Sequence, residues 1–157
     1  MMTSPFIFSK KLLGLASSTL IASSLAFSAH AADELDGTSW RTINEDTHQA
    51  ESVITFKKQG DGTYNGIVTK VLKEEPTGVC EECKGKYHKK SLQGAVIAKG
   101  LKANGPGKYS DGHIYDPVND KTYSMKAEIT KGGMALKVRG FLGVSLLGRS
   151  QEWQKAN

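Results

Sequence analysis

The feature that most constrains the fold is a strict alternation of apolar and polar side chains in short runs. The clearest run, 122–129, would place four apolar side chains on one face and four polar side chains on the other: Tyr123, Met125, Ala127 and Ile129 against Thr122, Ser124, Lys126 and Glu128. A strand with one buried and one solvated face has this period of two, whereas an amphipathic helix repeats its apolar residues every three or four positions. The run therefore predicts a β-strand.

Turn residues separate the alternating runs where antiparallel hairpins need them. Asp61-Gly62, Asn119-Asp120 and Lys131-Gly132-Gly133 each lie between two such runs, and these residue types adopt the positive φ that tight hairpins require. Short connections of this kind join only antiparallel strands. Closing such a sheet removes its exposed edges. We therefore predict an all-β fold, an antiparallel up-and-down barrel of about eight strands, at roughly 38–44, 51–58, 63–72, 92–102, 108–116, 121–130, 134–142 and 145–154.

The first 31 residues have the composition of an export signal. Lys10 and Lys11 precede an apolar stretch over 12–27, and Ala29-His30-Ala31 has small residues at the positions that a signal peptidase reads. Serines interrupt the apolar stretch, which argues against a transmembrane anchor because a span needs ~20 mainly apolar residues. We predict a cleaved signal peptide at 1–31, no transmembrane anchor after cleavage, and a single β-barrel domain at 32–157.

The charge balance argues against a nucleic-acid partner. The chain carries 21 basic and 16 acidic residues, a formal net charge of +5, and the two signs are interspersed along it. Nucleic-acid-binding domains concentrate positive charge on one face or stripe. Mixed charge instead favours solubility, so we expect no nucleic-acid partner.

The two cysteines lie in the one long segment without alternation, residues 73–91. In an oxidising compartment two cysteines as close in sequence as Cys80 and Cys83 usually pair, and we predict a disulfide between them. A redox-active dithiol is the first alternative. It needs a lowered thiol pKa, and positive charge nearby provides that, whereas Glu81 and Glu82 carry the opposite sign.

A zinc site is the second alternative for this segment. Cys80, Cys83 and His88 would supply three ligands, with His48 or His113 as a distant fourth. Structural zinc sites usually present four ligands in two tight pairs, and only one such pair is present. The sequence therefore predicts no metal site.

Aspartates of the later strands do not form a recognisable catalytic or calcium-binding motif. Asp111, Asp116 and Asp120 are spread over two predicted strands and a turn, with spacing unlike that of a calcium loop. Asp116 precedes Pro117, a pair typical of turn initiation. We predict no catalytic residues, no cofactor and no enzymatic activity.

Three segments resemble the secreted bacterial "domain of unknown function 2147" family: GTSWRTI, GHIYDPVNDKTYSMKAEI and LKVRGFLGVSLLGRSQEW. Asp116, Tyr123, Arg139 and Trp153 are the motif residues, and the resemblance covers nearly the whole chain after residue 31. It implies a lipocalin-like barrel in Gram-negative envelopes, and therefore a periplasmic or secreted location. It implies no activity, because the family has none assigned.

The comparison with lipocalins implies one structural contact, which would close one end of the barrel. Barrels of that type often place a guanidinium from a late strand across a first-strand tryptophan, and Arg149 and Trp40 are the candidates here. Such a cation–π contact contributes ~0.5–2 kcal/mol. The alternative is that Trp40 is an ordinary core residue.

The predicted barrel favours a binding function. Our leading hypothesis is a non-enzymatic module for a small apolar or amphipathic ligand, because eight strands enclose just enough space for one. The alternative is a protein-interaction or envelope-maintenance module with a filled barrel and a functional 73–91 segment. An apolar cavity of ~300 Å³ or more would favour the ligand. The small strand residues that would leave room for it are Gly66, Gly94, Ala95, Ala127 and Gly140.

Overall fold

The computed structural model of the chain describes residues 34–73 and 78–156, which fold into eight strands. They are β1 (Ser39–Ile43), β2 (Ala50–Lys58), β3 (Tyr64–Val71), β4 (Val96–Gly105), β5 (Lys108–Asp116), β6 (Lys121–Thr130), β7 (Ala135–Phe141) and β8 (Arg149–Lys155). Each strand pairs with the next, and β1 also pairs with β8, so the sheet is a closed antiparallel barrel. The predicted fold class is confirmed. The signal peptide predicted at 1–31 lies outside the described residues.

Predicted and observed strand limits differ most at the starts of β4 and β8. β4 begins at Val96 and not at residue 92, because Gly94 adopts a φ of 85° in a turn that precedes the strand. β8 begins at Arg149 and not at residue 145, because Ser145–Leu147 forms a 3-10 turn. Both differences arise from local turns that directly precede the observed strands.

The predicted hairpin turns are present at all three positions. Gly62 has a φ of 82° between β2 and β3, and Asp120 has a φ of 54° between β5 and β6. Between β6 and β7, Lys131–Gly133 forms a 3-10 turn in which Gly132 and Gly133 have φ values of 63° and 91°. Left-handed backbone at these positions lets the chain reverse in a few residues.

One half of the barrel is filled solid. It lies at the end where β2 meets β3, β4 meets β5 and β6 meets β7. Leu35 plugs this end and is fully buried in the core. The Thr38 hydroxyl donates to the Leu35 carbonyl at 2.7 Å and holds the turn that carries it. Inward-pointing side chains of the strands complete the packing: Trp40, Ile54, Phe56, Tyr64, Leu101, Tyr109, Met125 and Leu136.

The seam between β1 and β8 is closed by Arg41 and Lys155, and the prediction for Arg149 is wrong. Trp40 pairs with Lys155 in register, and the Lys155 ammonium lies 5.8 Å from the centre of the Trp40 ring. The Arg41 guanidinium donates to the carbonyls of Lys155 and Ala156 at 3.1 and 3.2 Å. Trp40 itself is an ordinary core residue, with no exposed surface.

Arg149 lies at the opposite end of β8. It pairs in register with Gly140, six residues before Lys155, which is about 20 Å along a strand. Its guanidinium binds the Glu45 carboxylate in the β1–β2 connection instead of the indole. This hydrogen bond and the negative charge of Glu45 raise the pKa of Arg149.

Within the described residues, no helix combines the length and the apolar character that crossing a bilayer requires.

Candidate ligand cavity

The half of the barrel opposite Leu35 contains a cavity of about 1040 Å³. In an up-and-down barrel alternate connections lie at the same end, so four connections surround the mouth: those between β1 and β2, β3 and β4, β5 and β6, and β7 and β8. The interior is therefore packed at one end and hollow at the other. This volume exceeds the ~300 Å³ at which a small ligand can be held.

The cavity wall is mainly apolar. Trp153 forms its floor: the indole is almost completely buried and packs on Phe56, with ring centres 6.4 Å apart. The sides are aliphatic and come from the mouth ends of the strands and from the β3–β4 connection: Val68, Val71, Leu72, Leu92, Ile97, Ile114 and Val138.

Gly140 leaves part of this space open. It lies on β7. A Cβ atom at this position would lie between Ile114 and Tyr123, 3.6 Å from the side chain of each. Those distances are ordinary van der Waals contacts, so the position has room for a methyl group, and a larger side chain would extend into the cavity. Gly140 is one of the small strand residues that the sequence singled out for this role.

Polar groups are few on the wall and more frequent at the rim. The Trp153 indole N–H donates to the Gln151 side-chain oxygen at 3.3 Å. On β1 and β2, the next two strands around the barrel from β8, the hydroxyls of Thr42 and Ser52 share a hydrogen bond of 2.8 Å. The charged residues are at the mouth, where they include both signs: Glu51, Lys73, Glu82, Asp116 and Arg149.

Cys80 and Cys83 form the predicted disulfide, with Cα atoms 5.4 Å apart. Both side chains are buried, and Cys80 contributes to the cavity wall. The backbone of Cys80 accepts from the Lys89 N–H at 3.1 Å and donates to the Lys90 carbonyl at 3.0 Å. These backbone hydrogen bonds tie together the two sides of a compact loop beside the mouth, and the disulfide closes the short segment Cys80–Cys83 within it.

This loop is docked on the β5–β6 turn. The backbone N–H of Lys84 donates to the Pro117 carbonyl at 2.8 Å. The rings of Tyr87 and Tyr115 are 5.7 Å apart, and the Lys86 ammonium lies 4.9 and 4.7 Å from their centres. Aromatic and cation–π contacts of this kind stabilise a surface loop that is too short to form a hydrophobic core of its own.

Tyr115 also binds the turn on which the loop rests. Its phenol donates to the Asp120 carboxylate at 2.7 Å, and this hydrogen bond, followed by partial burial and the negative charge of Asp120, raises the pKa of Tyr115 to about 12. The phenol thus stays protonated throughout the physiological range.

Replacing Asp120 with asparagine should lower the pKa of Tyr115 toward the ordinary value of about 10, because the neutral amide no longer penalises the phenolate. A raised pKa means that the contact contributes to stability below about pH 10 and loses that contribution as the pH approaches about 12. NMR titration of the tyrosine rings measures both proteins. An unchanged Tyr115 titration in the variant would contradict the contact.

The arrangement does not fit the zinc site raised as an alternative for the cysteines. Zinc is bound by thiolates, and both sulfurs are joined to each other. The imidazole Nδ1 of His88 lies 2.9 Å from the Cys83 carbonyl oxygen, His48 lies in the β1–β2 connection, and His113 is exposed on β5. The described residues contain no group of three or more His, Cys, Asp or Glu able to hold a metal ion.

The four motif residues occupy different places around the barrel. Tyr123 and Trp153 line the cavity. Asp116 organises the β5–β6 turn at the rim: its carboxylate accepts from the N–H groups of Val118 and Asn119 at 2.9 and 3.1 Å, as expected for a turn initiator. Arg139 lies outside the cavity and holds the β7–β8 connection.

Sequence reasoning missed the docking of the disulfide loop and the exposure of the β7–β8 connection. Tyr87 and Tyr115 are 28 positions apart in the sequence, so nothing local indicates their contact. In the β7–β8 connection, the sequence pattern predicts a strand that includes Leu146 and Leu147. These two adjacent leucines break the alternation of apolar and polar residues, and this break is the sequence signal that could indicate a turn instead of a strand.

One solved structure with this fold comes from Helicobacter pylori and is described as belonging to the lipocalin family. It is 18% identical in sequence, with a TM-score of 0.64, over 78% of this chain and 83% of that one. No curated protein matches the sequence. The family model of an uncharacterized protein conserved in bacteria, DUF2147, matches residues 38–155, which include all eight strands. The chain therefore belongs to the DUF2147 family and has a lipocalin-like barrel.

Proposed function

We propose that this protein is an exported, non-enzymatic binding module of the bacterial envelope that holds a small apolar or amphipathic ligand in its barrel. The observation that carries the proposal is the cavity of about 1040 Å³ with an aliphatic and aromatic wall. Export is supported by the composition of residues 1–31, and the disulfide is consistent with an oxidising compartment.

The distribution of polar groups determines how a ligand would lie. Burial of each methylene against an apolar wall contributes ~0.8 kcal/mol, so an alkyl or ring system belongs next to Trp153 and Val138. A polar head belongs at the mouth, where Glu82 pairs with Lys73 and Arg149 pairs with Glu45. The charged groups of the described lining are therefore at the rim and not at the floor of the cavity.

The structural roles of the rim carboxylate and of the cysteines support binding without catalysis. The Asp116 carboxylate accepts hydrogen bonds from three N–H groups of its own turn, including the side-chain amide of Asn119 at 2.7 Å, as a turn residue does. The sulfurs of Cys80 and Cys83 are bound to each other. The floor and sides of the cavity, formed by Trp153 and aliphatic side chains, offer a binding surface.

Titration with dansyl-labelled undecanoic acid tests the proposal. We expect saturable binding of one probe per chain and dansyl emission excited through tryptophan, since Trp153 forms the floor of the cavity. Unlabelled undecanoic acid should displace the probe. Emission that rises without saturation, or that shows no transfer from tryptophan, would contradict binding inside the barrel.

A further inference from the structure

The connection between β7 and β8 exposes an unusual amount of apolar surface beside the cavity mouth. We call residues 142–147 the apolar finger. Leu146 and Leu147 are 91% and 83% exposed, and Leu142 and Val144 are 61% and 60% exposed. Four large aliphatic side chains in six residues form a contiguous patch, which marks an interaction site on a soluble protein.

Arg139 holds the finger in one conformation. Its guanidinium donates to the carbonyls of Ser145 and Leu146 at 2.7 and 3.1 Å and to the Ser150 hydroxyl at 2.9 Å. Gly148 allows the finger to return close to β7, because a Cβ atom there would stand 2.5 Å from the Gly140 carbonyl oxygen. The leucines are therefore displayed on an ordered turn.

The base of the finger is positively charged. The Arg139 guanidinium is hydrogen-bonded only to neutral groups within the described chain. The Lys126 ammonium lies 5.6 Å from the centre of the Phe141 ring, immediately before the finger. Two cations beside an exposed aliphatic patch are complementary to a surface that is anionic outside and apolar beneath.

We propose that the apolar finger inserts into the headgroup region of an anionic lipid bilayer. Leu142 and Leu147 belong both to the exposed finger and to the cavity wall, so the finger is continuous with the mouth. A bilayer bound by the finger would lie beside the opening of the barrel. Leu35 and the N-terminal end of the described chain lie at the far end.

Flotation with lipid vesicles tests the proposal on residues 32–157, the chain without its predicted signal peptide. The wild-type protein should float with mixed phosphatidylcholine–phosphatidylglycerol vesicles and much less with phosphatidylcholine alone. The double variant Val144→Ser/Leu146→Ser should bind the mixed vesicles at least tenfold more weakly. Neither residue lines the cavity, so the variant should bind the dansyl probe like the wild type, which separates this proposal from the one on ligand binding.

The matched control is Met134→Ser, which removes a 63% exposed apolar side chain from the β6–β7 turn at the other end of the barrel. It should float like the wild type. Equal flotation of the double variant and the control, or no flotation of the wild type, would overturn the proposal. Sedimentation velocity provides a further check: a dimer that the double variant dissociates would assign the finger to a second copy of this chain.

Discussion

Replacing Trp153 with alanine is expected to lower the free energy of unfolding by about 3–5 kcal/mol. The indole is only 1% exposed, packs on Phe56 and donates a hydrogen bond to Gln151. It separates the filled half of the barrel from the cavity, so its removal leaves a hole that cannot collapse between rigid strands. Urea denaturation measures the change.

Met134→Ala is the surface control for this substitution. Met134 is 63% exposed in the β6–β7 turn, and substitutions at such positions usually change stability by no more than about 0.5 kcal/mol. A loss below about 1 kcal/mol for the Trp153 variant would mean that the floor of the cavity is not packed as described.

Replacing Gly140 with valine is expected to weaken binding of the dansyl probe at least tenfold while the barrel stays folded. The new Cβ atom meets Ile114 and Tyr123 at ordinary contact distance, and the two methyl groups beyond it occupy cavity space. Gly140 has no positive φ, and valine favours strands, so the backbone is not strained. Probe titration and thermal unfolding together measure both effects.

Gly60→Val is the matched control. It introduces the same side chain in the β2–β3 turn, where a Cβ atom meets nothing within 4 Å and φ is not positive. The control should bind the probe like the wild type. If the Gly140 variant also retains wild-type affinity, the probe binds elsewhere on the protein.

The strands of this barrel are predictable from the sequence because a pleated strand alternates its side chains between two faces. The run from Thr122 to Ile129 shows this directly, and it matches β6, Lys121–Thr130, within one residue at each end. The turn at Gly132 and Gly133 is equally readable, because its backbone conformation excludes most other residue types.

The barrel seam and the rim contacts could not be predicted in the same way. Whether Arg149 or Lys155 meets Trp40 depends on the register of β1 against β8, whose paired residues are more than one hundred positions apart. The exposure of Leu146 depends on a turn that Arg139 holds from the neighbouring strand. Such contacts are properties of the closed barrel, and local periodicity carries no information about them.

The sequence could indicate that the barrel has room for a cavity, but it could not predict which half of the barrel is hollow. Gly140 and Ala127 both suggested free space, but Ala127 is buried in the packed core and Gly140 lines the cavity. The difference lies in what faces each residue across the barrel. Small side chains therefore marked candidate positions without locating the cavity.

Native mass spectrometry of the protein isolated from its own cell envelope tests the central claim most directly. We predict a population carrying one bound small molecule per chain, which organic solvent releases and which is absent when the Gly140→Val variant is isolated in the same way. A wild-type protein that is uniformly free of ligand, or a bound molecule equally abundant on the variant, would contradict a ligand-binding barrel.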